Sequence, residues 1–125
     1  MDKAPLTLAN VSFGYGDTPI IKGVSHAFRP GKLTAICGPN GSGKSTLFGL
    51  ASGQLRASGG DVLLGIESVR SFPSKARARA MAMLPQGPEA PPELLVKDLV
   101  TLGRYAHRTP MAGLSEQDHS AIENA

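Results

Sequence analysis

The stretch Gly38-Pro39-Asn40-Gly41-Ser42-Gly43-Lys44-Ser45-Thr46 constrains this chain more than any other, because it satisfies G-x-x-x-x-G-K-[S/T] between two segments of opposite periodicity. Upstream, Leu33 to Cys37 is a short apolar run bounded by Pro30-Gly31 and Gly38-Pro39, which predicts a buried parallel strand. Downstream, Lys44 to Ala51 places Leu47, Leu50 and Ala51 on one face, which predicts a helix that begins inside the loop.

The order strand, glycine loop, helix has a chemical meaning that a glycine-rich turn arising by chance does not. Glycines let successive N–H groups turn inward with no Cβ in the way, and the helix start adds unpaired amides and partial positive charge. The amides around Gly41 to Ser45 suit α- and β-phosphates, Lys44 the β- and γ-phosphates, and the Ser45 hydroxyl Mg²⁺. Thr46 adds a hydroxyl for the α-phosphate.

Composition narrows the remaining choices. The 125 residues, 41% of them hydrophobic, suffice for one core. The charge of +3, from 13 basic and 10 acidic residues, is too small and dispersed to argue for nucleic acid. The single cysteine, Cys37, excludes an intramolecular disulfide and reads as a small core hydrophobe in a reducing compartment. Met1 to Pro5 carries no apolar leader, and no run approaches the roughly 18 apolar residues of a membrane span, so the chain is expected to be cytosolic or peripheral. His26, His107 and His119 lack metal-ligand spacing.

Before the loop, Leu6, Leu8, Val11 and Phe13 suggest a half-buried strand, Gly14 to Asp17 a turn, and Ile20 to Phe28 a second strand with an irregularity at Gly23. The first thirty or so residues therefore predict an antiparallel β layer. Tyr15, in the glycine turn, either stacks on a nucleobase or covers the sheet edge. After the loop come a turn at Ser58-Gly59-Gly60, a short strand from Asp61 to Leu64, and a helix from Ser74 to Ala80 whose Lys75, Arg77 and Arg79 read as a solvated face. Met81 to Leu84 predicts a further strand, cut by Pro85, with Gln86 at its end. Gly87 to Glu93, with prolines at 88, 91 and 92, reads as a stiff exposed connector, and Leu95 to Tyr105 as a helix. Ser115-Glu116-Gln117-Asp118 matches a capping box, so a helix starts there and meets Ala125 after barely two turns, as expected of a piece of a longer protein.

Together these residues resemble the N-terminal half of an ABC transporter ATP-binding subunit over nearly the whole chain. Tyr15 stands where that family has its A-loop aromatic, Gly38 to Thr46 is its Walker A segment, and Met83-Leu84-Pro85-Gln86 resembles its Q-loop. The resemblance implies ATP and Mg²⁺ as cofactors, Tyr15 stacking on adenine, Lys44 and Gln86 in catalysis, and Ser45 and Gln86 at the metal. It implies transmembrane permease subunits, a second ATP-binding subunit and, indirectly, a substrate-binding protein as partners, at the cytoplasmic face of the inner membrane.

Val96 to Pro110 resembles the subgroup that drives import of ferric siderophores, haem or cobalamin, although Leu95 and Ala106 stand where that subgroup more often has Ser or Thr and Pro. No L-S-G-G-Q signature, Walker B Asp with a following Glu, or switch His occurs in these residues. The chain thus supplies the cradle without the expected base. The expected fold is α/β: a P-loop NTPase core with an N-terminal antiparallel β layer over residues 1–86, then the start of a helical subdomain over 87–125, both partial and with exposed sheet edge. The alternative is a stand-alone, non-catalytic nucleotide-binding module. A GTPase or small-molecule kinase is disfavoured by the missing N-K-x-D and by the antiparallel strands ahead of the loop.

Overall fold

The computed structural model describes residues 4–84, 87, 93–109 and 111–125. It divides into two compact units, Met1–Phe72 and Pro73–Ala125.

The first unit is built on a hairpin of β1 (Leu6–Tyr15) and β2 (Thr18–Phe28), turned at Gly16-Asp17 with Gly16 at φ +56°. β3 (Gly59–Leu64) pairs antiparallel with the other edge of β1, and β4 (Glu67–Ser68) with β3, giving the order β2-β1-β3-β4. Leu8 and Val11 are both fully buried although they lie three apart, whereas a regular strand returns to the same face every second residue. A bulge reconciles the two. The β1–β2 register slips on both sides of Val11, with Asn10 at φ +51° and Gly23 at φ +62°. Side-chain hydroxyls take up the freed amides: Asn10 N–H donates to Ser25 Oγ (2.9 Å) and Gly23 N–H to Ser12 Oγ (2.9 Å). The irregularity expected at Gly23 is this bulge. With the phase corrected, Leu8 faces Val62 across the β1–β3 ladder, and both join Val11, Ile21, Leu50 and Val69 in the core.

Helix α1 (Lys44–Ala51) has the expected bounds and buries Leu50. Two other expectations fail. Leu33 to Cys37 is not a strand: Leu33 is 99% exposed, Ile36 is half-buried, and Cys37 is exposed rather than a core hydrophobe. Met81 to Leu84 is not a strand either, although Met81 keeps an extended backbone (φ −137°, ψ 133°). Both runs have the apolar character of central strands, which exist only with a ladder on each edge. Among the described residues the only sheet is the antiparallel one, so neither run has a strand to pair with.

In the second unit, α2 (Ser74–Ala80) forms as expected behind Pro73, and the helix expected from Leu95 to Tyr105 is divided. α3 (Val96–Leu102) stops at Gly103, and a separate 3₁₀ turn covers Tyr105–His107. The basic residues of α2 are not simply a solvated face. Lys75 Nζ donates to the carbonyl of Arg108 (3.0 Å) and Arg79 Nε to that of Ala106 (2.7 Å).

Helix α4 (Glu116–Glu123) opens with a complete capping box: Asp118 N–H donates to Ser115 Oγ (3.2 Å) and Ser115 N–H to Asp118 Oδ2 (3.0 Å). Arg104 Nε donates to Asp118 Oδ1 (2.8 Å), tying the segment after α3 to the first turn of α4. The Ser115 hydroxyl and amide and the Arg104 guanidinium together hold the buried Asp118 carboxyl far below its ordinary value of 3.8.

Two predictions follow from these contacts. Gly60 (φ +70°) passes so close to β1 that a Cβ would overlap the carbonyl oxygens of Ala9 and Asn10. Gly60→Ala is therefore expected to destabilise the first unit by more than about 1 kcal/mol, read as a lower urea midpoint at unchanged slope. Because the Asp118 pKa is depressed on folding, its contribution is complete above pH 3.8 and is lost as pH falls below that value. Protection of the Ser115 amide against hydrogen exchange should fall on acidification, and in Asp118→Asn it should be low and independent of pH.

Candidate functional site

The loop that begins α1 is shaped by its glycines. Gly41 (φ +80°) and Gly43 (φ +89°) adopt left-handed backbone that reverses the chain, and Gly43 serves as N-cap with no side-chain cap. The first backbone bond into α1 runs from Leu47 N–H to the Gly43 carbonyl (2.8 Å), so the amides of Lys44, Ser45 and Thr46 lie ahead of it at the positive end of the helix. At Gly38 a Cβ would come within 2.7 Å of Ser42 Oγ, and at Gly43 it would meet Ile20 and Ile21 at 3.0 and 3.1 Å. The loop is therefore folded onto itself and against β2.

Lys44 closes the loop. Its ammonium donates to the carbonyls of Gly38 (2.8 Å) and Pro39 (2.7 Å), while Ser42 N–H donates to the Pro39 carbonyl (3.3 Å). An ammonium has three protons, so this geometry positions the charge and leaves one donor unused. Thr46 is buried beneath the loop and Ser45 is exposed at its surface.

A cleft of about 360 Å³ opens between this loop and β2, with Ile20, Val24 and Ile36 on its apolar side and Gly38, Ser42 and Lys44 on its polar side. Pro39 and Gly43 also line it, and so does a second basic residue, Lys22. Among the described residues no carboxylate does. Two cations, an uncapped helix start and no lining acid make a surface that fits a polyanion.

The other sequence candidates are placed differently. Asn40 and Gly41 are exposed and are not among the residues lining the cleft. Tyr15 ends β1 as a 57% exposed residue, its ring perpendicular to that of Phe13 (centroids 4.9 Å apart, planes at 90°), and also lies outside the lining of the cleft. Gln86 falls outside the described residues. The wall formed by β2 was not anticipated as part of the site. The pair Ile20-Ile21 was visible in the sequence, but only its position opposite Gly43 marks it as lining.

The petrobactin import ATP-binding protein FpuD of Bacillus anthracis is 40% identical over 125 residues, which is 100% of this chain and 45% of that protein. The ferric enterobactin transport ATP-binding protein FepC of Escherichia coli (strain K12) is 33% identical over 115 residues, 92% of this chain and 42% of that protein. A solved structure described as an ATP binding subunit of an ABC transporter superposes with a TM-score of 0.75 at 25% identity, covering 92% of this chain and 45% of the other. The chain thus spans a little under half the length of these relatives. The ABC transporter family matches residues 21–125, from the cleft-lining strand through the loop to the last helix, and the chain belongs to that family.

Proposed function

We propose that this chain is the N-terminal part of the ATP-binding subunit of an ABC importer, coupling ATP binding and hydrolysis to uptake of an iron chelate, haem or cobalamin. The observation that carries the reading is the convergence of the Lys44 ammonium and the uncapped start of α1 on one cleft, with no carboxylate among the described residues that line it. Names of the relatives point the same way, toward petrobactin, ferric enterobactin and, in Pseudomonas, hemin.

In this reading the amides from Gly41 to Ser45 orient the phosphate chain, and Lys44 applies its charge to the terminal phosphates from a position fixed by the Gly38 and Pro39 carbonyls. Ser45, exposed at the helix start, offers its hydroxyl to Mg²⁺, and Thr46 adds a hydroxyl for the α-phosphate. Bound Mg·ATP supplies the transferable phosphoryl group and the metal charge that offsets it. Tyr15, half open at the end of β1, presents a ring face for adenine, and Gln86 is assigned to metal and water sensing in the family manner. Residues 1–86 and 87–125 would then be the nucleotide core and the start of the helical subdomain.

The proposed partners are the permease subunits, a second copy of the full-length subunit and, through the permease, a substrate-binding protein. Among the described residues no helix is long and apolar enough to cross a membrane, and a peripheral place on the cytoplasmic face is the proposed location.

Calorimetry with Mg·ATP tests the assignment. Lys44→Ala removes charge-assisted hydrogen bonds and should weaken binding by about ten- to a hundredfold, and in the full-length protein it should abolish hydrolysis. Tyr15→Ala should weaken ATP binding while leaving inorganic tripolyphosphate binding unchanged. Equal affinity in wild type and Lys44→Ala would overturn the role of the loop, and parallel loss of both ligands in Tyr15→Ala would overturn base stacking.

A further inference from the structure

The second unit contains a pocket that the nucleotide reading does not use. It has a volume of about 460 Å³ and is lined by Lys75, Tyr105, Arg108, Thr109 and Met111. Its size lies in the range of small-molecule sites.

The walls are tied together rather than merely adjacent. Lys75 and Arg79 of α2 bond the carbonyls of Arg108 and Ala106 across the 3₁₀ turn, and the Lys75 ammonium sits 5.3 Å from the centre of the Tyr105 ring. Arg108 reaches back to the Ala112 carbonyl through Nη2 (3.0 Å), while its Nε is buried with no hydrogen-bond partner among the described residues. An unpartnered buried donor on a charged group is costly, and a counter-charge nearby would offset part of that cost.

The inventory of the lining points to the ligand. Every polar side chain there can donate: an ammonium with two protons left, a guanidinium, a phenol and a hydroxyl. Among the described residues no carboxylate lines the pocket, and the one ion pair is elsewhere, between Arg104 and Asp118. Met111, at φ +64° and fully exposed, adds an apolar rim on a backbone that a side chain of its size rarely adopts.

We propose that this pocket binds a small oxyanion, phosphate or carboxylate in kind, carried on a molecule with an apolar part that rests on Tyr105 and Met111. Lys75 and Arg108 supply the charge, and Tyr105 and Thr109 orient the oxygens. The proposal does not depend on nucleotide binding.

The test is an amide and tyrosine-ring NMR titration of the Lys44→Ala chain, which weakens the competing phosphate site at the loop. Inorganic phosphate and citrate are added separately at constant ionic strength, with chloride as the reference. A saturable shift at Tyr105 and Thr109 is expected, and whichever anion binds more tightly identifies the oxyanion class. Adding Lys75→Gln should weaken that affinity at least tenfold, whereas Lys75→Arg, which keeps the charge and shows that α2 remains folded, should retain it within a few-fold. No saturable shift with either anion, or equal affinity in Lys75→Gln, would overturn the proposal.

Discussion

A single ammonium organises the loop on which the proposed function depends. Lys44 sits at the first position of α1, where a cation is unfavourable beside the positive end of the helix. Its two bonds, to the carbonyls of Gly38 and Pro39, offset that cost and draw the start of the loop over the helix end. The loop then follows a left-handed path that favours glycine at 41 and 43, and the leading amides of α1 stay unencumbered by a cap. A threonine or aspartate cap at 43 would stabilise the helix in isolation and occupy the donors that an anion needs.

The rest of the first unit serves as backing for this loop. Ile20 and Ile21 of β2 press against Gly43, and β2 is held in phase by the bulge at Asn10 and Gly23. Without that bulge, Leu8 and Val11 would face opposite sides of the sheet, and the core that supports β2 would lose one of its fully buried members. The chain of dependence runs from a register slip in β1 to the wall of the cleft.

Elements set by local chemistry were legible in the sequence. α1 and α2 have their expected bounds, and Ser115 and Asp118 form the expected capping box, because caps, prolines and helical spacing act within a few residues. Strands were legible where their partners lie among the described residues, as in the β1–β2 hairpin and in β3, expected from Asp61 to Leu64 and found from Gly59 to Leu64 against β1. Leu33 to Cys37 and Met81 to Leu84 carry strand-like residues, but a strand exists only as one side of a ladder, and the described residues place none beside them. The intrinsic preference of these runs for extended backbone is not expressed without such pairing. Long-range roles were not legible at all: Gly60 is required by the carbonyls of Ala9 and Asn10, and Lys75 and Arg79 bond carbonyls 33 and 27 residues away. The site was readable in its phosphate-facing part, Gly38 to Thr46, and unreadable in the wall that β2 provides.

The central claim is that leading amides of a helix and one lysine grip a nucleoside triphosphate. Residue-resolved amide NMR of the chain during titration with Mg·ATP tests this directly. The largest saturable shifts should fall on Gly41, Gly43, Lys44, Ser45 and Thr46. Saturable binding that left those amides unmoved, or no perturbation anywhere in Gly38 to Thr46, would contradict it.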